Sequence, residues 1–212
     1  LQAGLKPEGL HLLPNCVTPL VSQNQTLTDS GHDRFPSPFV LYPVRAIRRK
    51  NIGEAILLSC FFPPPVHLGI TLPPSSPVDY PSYESWKAFA LREGLPVYFE
   101  LGLAKPLAHW IPETLCMIST SIREGFGFTF LEPWTAGRGL IGRRIPSVVE
   151  DFQQQGIEFP DLYDHLFIPT EFLPFGEARA RWEGMVRETY AQYGVPLDPR
   201  VIETAWNRII ED

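Results

Sequence analysis

Cysteine is scarce in this chain: Cys16, Cys60 and Cys116 are the only three among 212 residues. An odd, widely spaced set is no disulfide framework, which excludes a small cross-linked scaffold. Set among apolar neighbours, these residues read as buried free thiols in a reducing compartment. The histidines His11, His32, His67, His109 and His165 share no metal-ligand spacing with one another or with the cysteines, so no metal site is expected. No apolar run approaches the roughly 18 residues of a membrane-spanning helix. Excess positive charge is missing too. Eighteen Lys and Arg against 24 Asp and Glu leave a net charge of −6. That balance disfavours an extended nucleic-acid surface, so any anion site must be local. The chain opens on Leu1 without an initiator Met or a recognisable signal peptide, which reads as an excised fragment or processed product.

What is present is ordinary for a folded domain, with 44% hydrophobic and 20% charged residues and length for one good core. Proline is the excess, at 23 residues. It clusters at Phe61–Pro65, at Leu72–Pro77 and near Pro36–Pro38, positions suited to connectors.

Residues 1–38 are polar and turn-rich and read as a hinge or linker-derived segment, with Leu10–Leu13 as a candidate short strand. From residue 39 short apolar runs alternate with helical patterns. Strands are predicted at Phe39–Val44, Val66–Leu72, Val97–Leu101, Leu115–Ser119 and Gly139–Gly142, with Leu166–Ile168 as a final edge strand. Helices are predicted near Ile52–Cys60, Tyr83–Glu93, Phe128–Gly137 and Ser147–Gln154. Repeated βα units of this kind imply an α/β fold: a Rossmann-like parallel sheet with helices on both faces, over residues 39–174. Residues 175–212 carry two helical stripes, one with Trp182, Met185, Val186 and Tyr190, the other with Val201, Ala205, Trp206 and Ile209. These are expected to pack on the same domain.

Two clusters carry chemistry. Ser119–Glu132 sets Glu124 and Glu132 around a Gly125-Phe126-Gly127 turn that leaves a strand and enters a helix at Phe128. Such a turn brings backbone N–H groups and a positive helix end close to an anion. Ionised carboxylates beside it suit hydroxyl donors. A phosphate cradle bordered by two hydroxyl acceptors describes a sugar-nucleotide site. The second cluster follows the first strand, where Arg45, Arg48, Arg49 and Lys50 precede a helix. The helix dipole disfavours cations there by roughly 0.3–1 kcal/mol each. An anion is the natural partner for such an arrangement.

The E-x(7)-E pattern from Glu124 to Glu132, within EGFGFTFLEPWTAGRGLIGR, resembles the retaining glycosyltransferases of GT-B type, family 4 (glycosyl transferases group 1). Arg45 and Lys50 match the family's G-R-x(4)-K spacing, with Val44 in place of the usual Gly. The resemblance is to the C-terminal, donor-binding domain, and Leu12–Asn15 is similar to the hinge that enters it. It implies a nucleoside diphosphate sugar as donor, with no cofactor and no metal requirement. By position, Glu124 would contact the donor sugar and Glu132 the ribose, while Arg45 and Lys50 would hold the diphosphate. Arg48 could substitute for Arg45, and the backbone from Gly125 through Phe126 and Gly127 to Phe128 would meet phosphate or sugar. An N-terminal Rossmann-like domain with most acceptor contacts would be the missing partner, so the chain alone should be inactive. The expected setting is cytoplasmic, or membrane-peripheral in a longer protein.

Two rival readings stand beside this one, a GT-B-type nucleotide-sugar epimerase and a non-catalytic sugar-nucleotide-binding or interaction module. Leu101-Gly102 could help shape a nucleobase slot. Arg138 and the Arg143-Arg144 pair could reach a ligand or solubilise a loop, and the second reading is preferred. Trp134 is expected to be packed, and Pro133 to bend or shorten its helix.

Overall fold

The computed structural model describes residues 16–20 and 38–211. The expectations for Leu10–Leu13, for the hinge at Leu12–Asn15 and for most of residues 1–38 lie outside the described residues. Up to Asp164 these form one compact unit, and from His165 onward a second.

The first unit is organised by β1 (Phe39–Arg45), whose side chains alternate between two buried faces. Val40, Tyr42 and Val44 join one apolar cluster, while Phe39 and Leu41 join another. A strand apolar on both faces belongs at the centre of a parallel sheet, covered on both sides. It pairs in parallel with β2 (His67–Leu72) and with β4 (Thr114–Ser119). With β3 (Val97–Tyr98), β5 (Gly139–Arg143) and β6 (Leu162–Tyr163) the sheet runs β3-β2-β1-β4-β5-β6.

The crossovers supply the two layers. Ile52, Ala55 and Ile56 of α1 (Ile52–Ser59) and Tyr83 and Ala90 of α2 (Tyr80–Arg92) pack in the cluster with Val40 and Tyr42. The opposite face takes Leu101 from the short helix α3 (Leu101–Ala104) and Trp110 from α4 (Leu107–Trp110). It also takes Phe130 from α5 (Phe128–Thr135) and Val148 and Val149 from α6 (Pro146–Gln154). The Rossmann-like parallel sheet is therefore observed, although the third strand, expected over Val97–Leu101, ends at Tyr98 and Leu101 begins α3.

Three further expectations need correction. The last strand is Leu162–Tyr163, aligned with Gly142 and Arg143, and not Leu166–Ile168. The latter run stays outside the sheet, with Phe167 79% exposed. The thiols are free but not buried, for Cys16 and Cys60 are exposed and Cys116 is half-buried. Helix α5 stops at Thr135, two residues early, at a left-handed Gly137 whose N–H bonds the Trp134 carbonyl while that of Arg138 bonds the Pro133 carbonyl.

In the second unit, α7 (Phe175–Gln192) and α8 (Pro199–Glu211) meet through Trp182 and Trp206, with ring centroids 5.5 Å apart. Arg179 bridges them, bonded to Glu183 on its own helix at 3.0 Å and to Glu203 on the other. The buried stripe of α8 is Ile202 and Trp206, spaced i and i+4, whereas Val201 and Ile209 are exposed. Among the described residues no helix is long and apolar enough to cross a membrane.

Candidate functional site

From β1 the chain builds outward to β2 and β3, then returns to start β4 on the other side of β1. The carboxyl ends of β1 and β4 therefore flank the point where strand order reverses, the crevice where open parallel sheets bind ligands. Both clusters singled out in the sequence leave the sheet there.

After β1 a single 3-10 turn, Arg48–Lys50, leads to Asn51, which is left-handed at φ 50°. Asparagine is among the few residues that tolerate this conformation. The turn is pinned from below. The buried Tyr42 hydroxyl donates to the Lys50 carbonyl at 2.6 Å and accepts the Thr120 N–H at 3.2 Å. The Thr120 hydroxyl lies 2.9 Å from the Asn51 carbonyl and 3.2 Å from that of Lys50. Across the crevice the Ile122 N–H donates to the Arg49 carbonyl at 2.9 Å. The β1 and β4 turns are thus one hydrogen-bonded body.

That body joins the two charge clusters. Lys50 Nζ donates to Glu124 Oε1 at 2.5 Å, and Arg49 Nη1 to Glu124 Oε2 at 3.0 Å. The Glu124 side chain is only 8% exposed. Burial alone would raise its carboxyl pKa, but the Lys50 bond, a Ser121 bond and the two positive charges outweigh it and hold it below the ordinary range. Glu132, half-buried on α5, behaves oppositely. Burial pushes its carboxyl up, Lys50 pulls it down, and the charge on Glu124 raises it again. The Glu132 carboxylate makes no hydrogen bond among the described residues.

The glycine turn between them is asymmetric. Gly127 is left-handed at φ 73°, and a Cβ there would lie 2.2 Å from Val148 Cγ1. Only glycine seats α5 this closely on α6. A Cβ on Gly125 would meet nothing within 4 Å. Phe126 is 70% exposed and stacks on Phe128, with centroids 5.7 Å apart.

The other expected residues sit elsewhere. Arg45 turns toward the β2 side of β1, donating to the Pro73 carbonyl at 3.1 Å. Arg48 lines a cavity of about 160 Å³ with Asp79, Tyr83 and Trp86, and its backbone N–H meets Asp79 Oδ1 at 3.3 Å. Arg138 is structural, holding the carbonyls of Ile111 and Pro112. Trp134 packs on Phe159, with centroids 5.2 Å apart. Leu101 is buried in the apolar core.

Comparison with known proteins adds one curated relative and several folds. No sequence-family profile matches. The mannosylglucosyl-3-phosphoglycerate synthase of Petrotoga mobilis is 26% identical over 151 residues, 70% of this chain and 29% of that protein. Among solved structures, TarM of S. aureus has a TM-score of 0.48 at 16% identity, covering 61% of this chain and 26% of TarM. The lipopolysaccharide outer core galactosyltransferase WaaB has a TM-score of 0.46 at 19% identity, covering 71% of this chain and 42% of WaaB. The chain resembles the GT-B glycosyltransferases. It spans less than a third of the curated relative's length, 29%.

Sequence reasoning grouped Arg49 with its neighbours but gave it no role, because the family spacing marks positions 45 and 50. It also missed Glu54, a buried carboxylate on α1. Glu54 accepts two bonds from Arg143, at 3.0 and 2.6 Å, one from the Tyr163 hydroxyl at 2.5 Å and one from Asn51 Nδ2 at 2.8 Å. The spacing Asn51-x-x-Glu54 at a helix start was the available signal, since it has the form of a capping box.

Proposed function

We propose that the crevice between β1 and β4 binds a nucleoside diphosphate sugar, as the donor-binding half of a retaining glycosyltransferase. The observation that carries this reading is the Lys50–Glu124 contact across the strand-order reversal. It brings a phosphate-type cation and a hydroxyl-type acceptor into one rigid site from distant parts of the chain. Lys50 holds the diphosphate and stabilises the charge that develops on it as the sugar leaves. Glu124 accepts hydroxyls of the donor sugar, and Glu132, with no hydrogen-bond partner among the described residues, accepts those of the ribose. The backbone N–H groups from Gly125 to Phe128, at the entry to α5, meet phosphate or sugar.

In this reading the leaving phosphate helps to deprotonate the acceptor on the same face of the sugar. Fixed cations and a helix end neutralise the diphosphate, so the arrangement needs no metal. The acceptor is held mainly by a second Rossmann-like domain of a longer protein, so the 212-residue chain binds donor without efficient transfer.

Thermal unfolding against a panel of nucleotide sugars and free nucleotides tests this. A ligand at five times its dissociation constant stabilises by about 1 kcal/mol. That amounts to roughly 2–4 °C for a domain of this size. The expected result is a shift with one nucleotide series, abolished by Lys50→Ala and weakened by Glu132→Gln. No shift with any member at millimolar concentration contradicts the reading, as does robust sugar transfer by the isolated chain.

A further inference from the structure

We infer that Arg49, and not Arg45, is the second cation of this chain's diphosphate site. The inference rests on the donor-site reading and specifies which side chains execute it.

Arg45 and Arg49 leave the same strand end but go opposite ways. In the order β2-β1-β4, Arg45 turns to the β2 side, onto the carbonyl that follows β2. Arg49 turns to the β4 side, where its Nη1 bonds both the Glu124 carboxylate and the Arg123 carbonyl at 3.1 Å. Its own carbonyl receives the Ile122 N–H. Arg49 is therefore tied by main chain and side chain to the segment that carries Glu124 and the glycine turn.

Its remaining donors favour an anion. Nε and Nη2 have no hydrogen-bond partner among the described residues, and the side chain is 45% exposed. Lys50 beside it has one described bond, to Glu124, out of three donor positions. Adjacent cations on the two oxygens of one carboxylate leave a guanidinium fork, 45% exposed, beside a nearly buried ammonium, 11% exposed. A fork suits two phosphate oxygens at once, and an ammonium supplies a compact charge beside it. The five-residue spacing of the resembling family is replaced here by neighbours. Val44 fits that change, because without the usual Gly the turn at Arg45 stays on the strand and pairs with Leu72.

Equilibrium titration of the full 212-residue chain tests this with uridine, guanosine, adenosine and thymidine diphosphates as probes. Wild type is compared with Arg45→Ala, Arg49→Ala, Arg49→Gln and Lys50→Ala, each titrated well below its own ligand-free melting temperature, because Lys50→Ala strands the Glu124 carboxylate and lowers it. Losing a charge-assisted bond to phosphate weakens binding on the order of tenfold or more. The inference expects that loss for Arg49→Ala, Arg49→Gln and Lys50→Ala, with Arg45→Ala within about threefold of wild type. If Arg45→Ala weakens binding as much as Lys50→Ala, the inference is overturned while the donor site stands. If Arg49→Gln, which keeps the side-chain bulk, binds like wild type, the inference is overturned as well. If wild type binds none of the four probes at millimolar concentration, the donor-site reading and the inference fall together.

Discussion

Two carboxylates at this end of the sheet, Glu54 and Glu124, have side chains only 11% and 8% exposed and are each held by arginine, yet they differ in where they stand on the sheet and in what surrounds them. Arg143 spends Nε and Nη2 on Glu54 and Nη1 on the Asp164 carbonyl, and its guanidinium also lies over the Tyr163 ring at 5.5 Å. Glu54 accepts four bonds, the full capacity of an ionised carboxylate. In that network the acceptor is saturated and every Arg143 nitrogen already donates. At Glu124 the acceptor is well supplied, but among the described residues Lys50 Nζ bonds Glu124 alone and Arg49 Nε and Nη2 have no hydrogen-bond partner. Burial and ion pairing are common to both, so neither marks function. What sets the Glu124 cluster apart is its place at the strand-order reversal, where the proposed ligand would meet its donors.

The comparison breaks most visibly in stability. Arg143→Ala strands the Glu54 carboxylate, and removing one partner of a buried pair costs about 3–5 kcal/mol. With Arg143 a quarter exposed, the lower end is expected, a fall of roughly 6–12 °C in melting temperature by calorimetry. Nucleotide affinity per folded molecule should change far less. A collapse of affinity with intact stability would reverse the assignment of the two clusters.

Within the glycine turn a second contrast is available. Gly127→Ala meets Val148 and a left-handed backbone, so it should cost about 1–3 kcal/mol in urea unfolding. Gly125→Ala enters open space and should stay within about 0.5 kcal/mol of wild type. A Gly125→Ala variant that binds nucleotide normally would show that no ligand atom needs the space a Cβ takes there.

Protonation separates Glu124 from Glu132. A carboxyl depressed in the folded state contributes stability above its ordinary value, about pH 4.3, and loses it as pH falls through the lower folded value. The stability gap between wild type and Glu124→Gln should therefore shrink between pH 6 and pH 3. Glu132, raised by burial, carries a penalty above its folded value that disappears as pH falls. Glu132→Gln should then be neutral or slightly stabilising at pH 7 while weakening nucleotide binding. A destabilised Glu132→Gln would mean that the side chain serves the fold.

The sheet was legible because strands buried on both faces read as unbroken apolar runs, as in Phe39–Val44. Leu162–Tyr163 was not, since two residues cannot display a period and its pairing depends on Gly142 and Arg143 across the sheet. Lys50 and Glu124 were each visible as residue types in telling places, and their contact is tertiary. The divergence of Arg45 from Arg49 was illegible for the same reason, because it follows from which neighbouring strand each side chain reaches. Spacing along the chain could rank four adjacent cations. It could not orient them.

The central claim is that ligand lands on the Glu124 cluster and leaves the Glu54 cluster alone. Backbone amide NMR of the chain, titrated with the nucleoside diphosphate giving the largest thermal shift, tests it directly. The account predicts saturable shifts concentrated at Arg49, Lys50 and Glu124–Thr129, with Glu54, Arg143 and Tyr163 little moved. Shifts centred on Arg143 and Tyr163, or none at saturating nucleotide, would contradict it.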